Sequence, residues 1–320
     1  MPFLFTKPAQ RVKIALIKRG NFMNNKSSGA FSVFTAYIFW GLLTLFWNLL
    51  SEVNSVYILF QRVIWSAVFM GIILVIAGKG KKIISVFKNK KMLLRCFVCG
   101  VLITVNWGVY IYAVTSGHVL DASLGYFIEP IVVAVLGMIL FKEKLSKFEK
   151  ITFVFAAAGL LYMLFSTGTF PVLSVIIALS FAVYGAFKKA LDLEAGISLF
   201  AETLCITPIA IVFTIFAESK GIGASGILEG YRLLLLPVCG IVTSIPLLLF
   251  NIGVKKIPYY LSGIIMYVSP TLQFLTGILF FKETLDTNRL IAFAIIWIGI
   301  AFTIYEQSKM IINDTKKETE

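Results

Sequence analysis

The chain reads as long apolar runs separated by short polar interruptions, most of them basic. Apolar character is continuous along each run and does not alternate every second residue as in a membrane barrel strand. Ten runs match or approach the ~20 residues an α-helix needs to cross a ~30 Å hydrocarbon layer. They cover 30–50, 56–78, 93–114, 122–141, 151–166, 171–187, 196–217, 233–254, 258–281 and 289–306. The fifth and sixth are short and separated by the turn Ser166–Phe170, which closes on Pro171, so they predict a tight helical hairpin. Glycine and proline inside the runs suit transmembrane helices. The pattern predicts an all-α integral membrane protein.

The pattern also repeats at an offset of 140. Cys99-Gly100 recurs as Cys239-Gly240, Pro130 as Pro270, Gly137 as Gly277, and Gly159 as Gly299. Phe141-Lys142-Glu143 returns as Phe281-Lys282-Glu283. Upstream, Trp40-Gly41 resembles Tyr184-Gly185 after a four-residue shift. Lipid-like composition alone would align Leu and Ile, not Pro, Gly and a Lys-Glu pair together. The expected organisation is a basic arm (1–29), a first five-helix repeat (30–166), a second repeat (171–306) and a tail (307–320). Five is odd, so the second repeat inserts upside down, an architecture recurrent among secondary transporters.

Composition narrows the class. Hydrophobic residues make up 59% and charged residues 14%, against roughly 45–50% and 25% in soluble domains. With a mean hydropathy of +0.91, a soluble enzyme, a secreted disulfide scaffold and a disordered tail are excluded. The net charge of +13 suggests nucleic acid only until the basic residues are placed by side. With the N-terminus inside, 24 of the 29 fall on that side, which predicts both termini in the cytoplasm and needs no nucleic-acid partner. Lys188 and Lys189 are counted there as loop residues, leaving Arg62 as the basic residue within a span. Cys96 and Cys99 form a C-x-x-C without a second pair or a nearby His, and read as small buried apolar side chains. Met23 is an expected start site, because the ordered pattern begins just after it.

Several strings carry a family resemblance: Ala36 to Trp47, Arg62 to Ser66 (RVIWS), Asn106-Trp107, Ala122 to Phe127 (ASLGYF), Gly240 to Leu248 and Pro270-Thr271. As a set, over most of the chain from Met23 to the tenth run, they resemble the EamA-type branch of the drug/metabolite transporter superfamily. More narrowly, they are similar to the RarD subfamily of chloramphenicol-sensitivity proteins. The resemblance implies a multi-pass permease or exporter of small organic solutes in a cytoplasmic membrane, without bound cofactor. The sequence departs from the subfamily pattern at Gln61 (His expected), Tyr57 (an acid expected), Glu129 (Asn expected) and Met266 (Gln expected).

Charges inside the bilayer cost about 2.5–3.5 kcal/mol on insertion scales, and so mark partners or a watery path. At ~1.5 Å rise per residue, Arg62 and Glu129 both lie about 9–11 Å below the outer ends of their spans. Equal depth and opposite sign make them candidate partners, functional or purely structural. Glu202, six residues before Pro208, maps near Arg62 in the repeat and is a second candidate carboxylate for a proton or a cationic solute group. Pro130, Pro270 and Pro246 break helix hydrogen bonding and are candidates for exposing backbone to a cavity. Asn106 and Tyr110 share a helix face. With Trp107, Trp40, Trp65, Tyr126, Tyr184 and Tyr267 they are candidates for an aromatic-lined cavity, although most of the 46 aromatic residues must pack or face lipid. His118 and Asp121 read as a solvated loop histidine and a helix-start acid. No G-x-x-x-x-G-K-[ST] string is present, which argues against ATP-driven transport. The expected function is alternating-access secondary transport of a small solute such as a metabolite, amino acid or drug, with protons as a candidate coupling ion. The alternatives are a non-transporting membrane scaffold and, less favoured, a membrane enzyme. A single His and scattered acids argue against an enzyme, a metal site and a catalytic constellation.

Overall fold

The computed structural model describes residues 8–115, 119–167, 172–280, 282 and 287–319, and these contain helices and turns but no strand. The helices are α1 (Pro8–Asn48), α2 (Ser55–Ile76), α3 (Gly80–Lys88), α4 (Lys90–Thr115), α5 (Val119–Phe141) and α6 (Lys147–Thr167). They continue as α7 (Val172–Ala190), α8 (Ala195–Ser219), α9 (Leu235–Gly253), α10 (Tyr259–Met266), α11 (Val268–Leu279) and α12 (Thr287–Thr319). Local chemistry sets several boundaries. The Asn54 side chain accepts hydrogen bonds from the N–H groups of Val56 and Tyr57 at 3.0 and 3.1 Å and starts α2, as an N-cap does. Asn89 does the same for Met92 near the start of α4, at 3.1 Å.

Seven helical stretches among the described residues are long and apolar enough to cross a membrane, within α1, α2, α4, α6, α7, α8 and the 230–253 segment. Ile128–Phe141 and Leu290–Glu306 are shorter apolar helices. The run 258–281, expected as one span, is broken at Tyr267 into α10 and α11. Pro270 weakens the helix there, because it cannot donate to the carbonyl four residues back. The symmetry-related Pro130 leaves α5 continuous, and α8 and α9 likewise run through Pro208 and Pro246. The basic stretch between the second and third apolar runs, which the pattern leaves as a polar interruption, contains α3. Its Ile83, Val86 and Phe87 pack towards Leu74, Met92 and Ile197 while its lysines face outward, a helical spacing too short to stand out in sequence. The 166–170 turn lies largely outside the described residues, as do His118, Phe281, Glu283 and the Asp121 side chain. α1 runs from Pro8 through Met23, so helix begins well before the point at which the ordered pattern was expected to start.

The core runs through the centre of the bundle, from Val33 and Tyr37 of α1 through Ile103, Val133 and Phe181 to Phe250 and Tyr259. Large apolar side chains also cover the outside, among them Ile76, Phe165 and Val212, as lipid-facing helices require. Two pairs of positions 140 apart share local geometry. Lys142 and Lys282 both take left-handed backbone, with φ of 54° and 52°. Gly159 lies against Ala292 and Ile296, and Gly299 against Thr152 and Phe155, so close that a Cβ on either would stand within 3.0 Å of a neighbour. Small residues of this kind let membrane helices approach closely.

One end of the bundle gathers basic residues. There Lys255 donates to the carbonyls of Leu191 (2.7 Å) and Leu193, and Lys189 to those of Val254 (3.3 Å) and Ile257. The Glu143 carboxylate accepts from the N–H groups of Tyr259 and Tyr260 at 2.7 and 3.0 Å and caps α10. At the other end Arg232 pairs with Glu52 at 3.1 Å, and Tyr57 donates to Glu218 at 2.6 Å.

Candidate functional site

A cavity of about 100 Å³ lies between the helices, in the half of the bundle remote from the basic end. α1 contributes Tyr37, Trp40, Leu43, Thr44 and Trp47 from its last turns, spaced three and four apart on one face. α2 contributes Arg62, α4 Asn106, Trp107 and Tyr110, and α5 Tyr126 and Glu129. From the second half come Phe181, Met266, Ser269, Pro270 and Gln273. The lining is aromatic and polar, large enough for water or part of a small solute.

Arg62 is nine-tenths buried and held on three sides. Its Nε donates to Thr243 Oγ1 of α9 at 3.1 Å. Its guanidinium carbon stands 4.5 Å from the Trp47 ring centroid and 4.1 Å from that of Trp107, cation–π contacts that gain strength when desolvated. Glu129 is 4% exposed and opens on the same cavity. No ion pair within 4.0 Å joins it to Arg62, and no hydrogen bond holds it among the described residues. The expected Arg62–Glu129 pair is therefore corrected: equal depth puts them on one cavity, while Thr243 and two indoles hold the arginine. The Tyr37 hydroxyl, also on the lining, is buried without a hydrogen-bond partner among the described residues.

Around it the aromatic contacts are edge-on. Tyr37 and Trp40 meet at 5.1 Å, Trp40 and Phe181 at 5.7 Å, and Tyr110 and Tyr126 at 5.8 Å. Asn106 donates from Nδ2 to Ile177 O at 2.8 Å and Ser180 Oγ at 3.2 Å, which ties α4 to α7.

A second charged group sits in the opposite half, near the basic end. Lys188 Nζ lies 2.7 Å from Glu202 Oε2, and both side chains are fully buried. Ser198 Oγ accepts from Lys188 at 2.5 Å. The Tyr184 hydroxyl donates to Glu202 Oε1 at 3.0 Å and lies 3.5 Å from Asn251. Lys188, expected as a loop lysine, is thus a membrane-embedded cation in the last turn of α7. A narrow cleft of about 10 Å³ adjoins Glu202 and reaches Trp107 of the main cavity.

Of the residues singled out in sequence, Arg62, Glu129, Asn106, Trp107, Tyr110, Trp40, Tyr126 and Pro270 meet on the cavity. Glu202 and Tyr184 belong to the second group. Trp65 donates from Nε1 to Gln61 at 3.0 Å and has its backbone against Gly240, off the lining. Tyr267 packs with Ala156, Met163 and Ile296. Pro130, Pro208 and Pro246 lie inside continuous helices and do not line the cavity. Sequence reasoning missed Tyr37, Thr44, Trp47, Phe181, Ser269 and Gln273. The alternating three- and four-residue spacing Tyr37–Trp40–Thr44–Trp47 was the available signal. For Lys188 it was Tyr184, one turn earlier, together with the need of Glu202 for a cation.

Comparison with known proteins matches this arrangement to one family. The model described as the EamA-like transporter family matches residues 27–165 and again 170–305. An uncharacterized transporter of Bacillus subtilis, YojE, is 37% identical over 87% of this chain and 94% of its own. Protein RarD of Escherichia coli is 32% identical over 87% of this chain and 94% of its own. The chloramphenicol-sensitive protein RarD of Pseudomonas aeruginosa is 25% identical over 84% and 91%. A crystal structure 17% identical in sequence superposes with a TM-score of 0.68 over 87% of this chain and 97% of that one, a likeness of fold. The chain is a multi-pass membrane protein and belongs to the EamA-like transporter family, in its RarD-like branch.

Proposed function

We propose that this protein is a secondary transporter that moves a small organic solute through the Arg62–Glu129 cavity by alternating access. It has ten spans arranged as two inverted five-helix repeats, 30–166 and 171–306, with both termini on the cytoplasmic side of the inner membrane. The two matches to one family model, the left-handed Lys142 and Lys282 and the reciprocal Gly159 and Gly299 contacts support the repeat. The basic end, read as cytoplasmic, supports the orientation. The gradient of the solute or of protons supplies the driving force.

One observation carries the reading: a cavity shared by both halves holds two buried ionisable side chains of opposite type that do not pair with each other. Such groups are costly in a bilayer unless something passing through meets them. A membrane scaffold has no need of them. The test is counterflow in proteoliposomes over amino acids, metabolites and amphenicol-like drugs at two pH values. Glu129→Gln is expected to fold and to lower the flux of whichever solute is carried. Absence of flux across the whole panel would favour the scaffold. Unchanged flux and pH dependence in Glu129→Gln would remove Glu129 from the pathway.

A further inference from the structure

The contacts of Arg62 restrict what it can bind. The guanidinium carbon lies 4.5 Å from the Trp47 ring centroid and 4.1 Å from that of Trp107, and Nε is taken by Thr243. The two terminal NH₂ groups of this cavity-lining side chain have no hydrogen-bond partner among the described residues. A planar edge with parallel donors fits a carboxylate better than a spherical anion.

Glu129 sets the second condition. It is 4% exposed on the same lining and has neither an ion pair nor a hydrogen bond among the described residues. A buried carboxyl group in that condition is either protonated or met by a cation. Arg62 and Glu129 are the only ionisable acid and base among the described residues of the lining. A phosphate ester or a simple organic acid would satisfy Arg62 and be repelled by Glu129. A lipophilic cation would do the reverse. Each half-matched ligand leaves one of the two groups without an ionic partner, and that difference in affinity is specificity.

We propose that the solute is a zwitterion, with its carboxylate on the free edge of Arg62, its ammonium group at Glu129 and its apolar part against Trp40 and Phe181. The unpartnered Tyr37 hydroxyl is a second acceptor for the ammonium group. The proposal rests on the cavity being the transport site.

The test uses the full-length protein in detergent, with binding followed by calorimetry. The probes are alanine, leucine and phenylalanine, each compared with its amide (a cation) and its N-acetyl derivative (an anion). At least one zwitterion is expected to bind on the order of tenfold or more tighter than both derivatives, since a site built for a polar group discriminates strongly against its absence. Arg62→Gln should lose the zwitterion. Glu129→Gln should narrow the gap between the zwitterion and its N-acetyl form, a change of preference that misfolding does not produce. A derivative that binds wild type as tightly as its zwitterion overturns the proposal, as does a Glu129→Gln variant that keeps the full gap. So does failure of all three zwitterions to bind. In that last case, flux of another solute in proteoliposomes leaves the transport reading standing, whereas absence of any flux removes both.

Discussion

Two buried charged groups lie in opposite halves of this bundle. Lys188 and Glu202 are 2.7 Å apart, fully buried, and bonded further to Ser198 and Tyr184. Arg62 and Glu129 share a cavity without pairing, and the arginine leans on Thr243 and two tryptophans instead. The first group satisfies itself, which suits a helix junction. The second leaves donors and a carboxylate facing open space, which suits a ligand. Burial alone does not separate the two; completeness of pairing does.

The sharpest way to break this comparison is to remove one partner from each group. Lys188→Met strands a carboxylate in the bundle and should cost about 3–5 kcal/mol, with much of the loss restored in Lys188→Met/Glu202→Leu. Arg62→Gln, whose neighbour Glu129 is already unpaired, should cost less stability than Lys188→Met while abolishing flux. Unfolding in mixed micelles measures the first and proteoliposome uptake the second. If Lys188→Met unfolds no more easily than Arg62→Gln, the division into a structural and a functional group fails.

A smaller effect sharpens the functional side. Arg62→Lys keeps the charge but replaces the planar, stacked group with a compact ammonium ion. Weakening the cation–π contacts with Trp47 and Trp107 is worth about 1–2 kcal/mol, so flux should fall by roughly tenfold with the fold intact. Trp107→Leu should move flux in the same direction. Wild-type initial rates in Arg62→Lys would show that charge alone matters and that the clamp is incidental.

How much of this was legible beforehand follows from which physics is local. Ten apolar runs show in sequence because lipid imposes length and polarity on every span independently. Arg62, Glu129 and Glu202 stand out because intramembrane charge is rare. The partner of each is a matter of helix rotation and neighbourhood, so depth paired Arg62 with Glu129 while packing gave it to Thr243 of α9. Lys188 was hidden by its position: beside Lys189 near a helix end, it looks like a loop residue until α8 and α9 close over it. The break at Tyr267 against the continuity at Pro130 was illegible for the same reason. One proline weakens both helices equally, and only the surrounding contacts decide which one gives way.

A third carboxylate, at the surface, offers the smallest and last test of the comparison. Glu194, just before α8, lies 2.7 Å from Lys79 Nζ and also bonds Lys82. Hydrogen bonds from these two lysines hold its pKa down to about 2, below the ordinary 4.5. A lowered pKa stabilises the fold above the unfolded value, so the contribution is complete above pH 4.5 and fades as pH falls from 4.5 towards 2. The group is exposed, and salt screens it. Glu194→Gln should therefore melt slightly below wild type at pH 7. That gap should close as pH falls from 4.5, and also at neutral pH in about 1 M salt, where the screening length is ~3 Å. The loss caused by Lys188→Met should persist in the same salt, because no counter-ion reaches a pair sealed between α7 and α8. A salt-sensitive Lys188 effect would mean that the pair is hydrated, and its contrast with the cavity would narrow to one of degree.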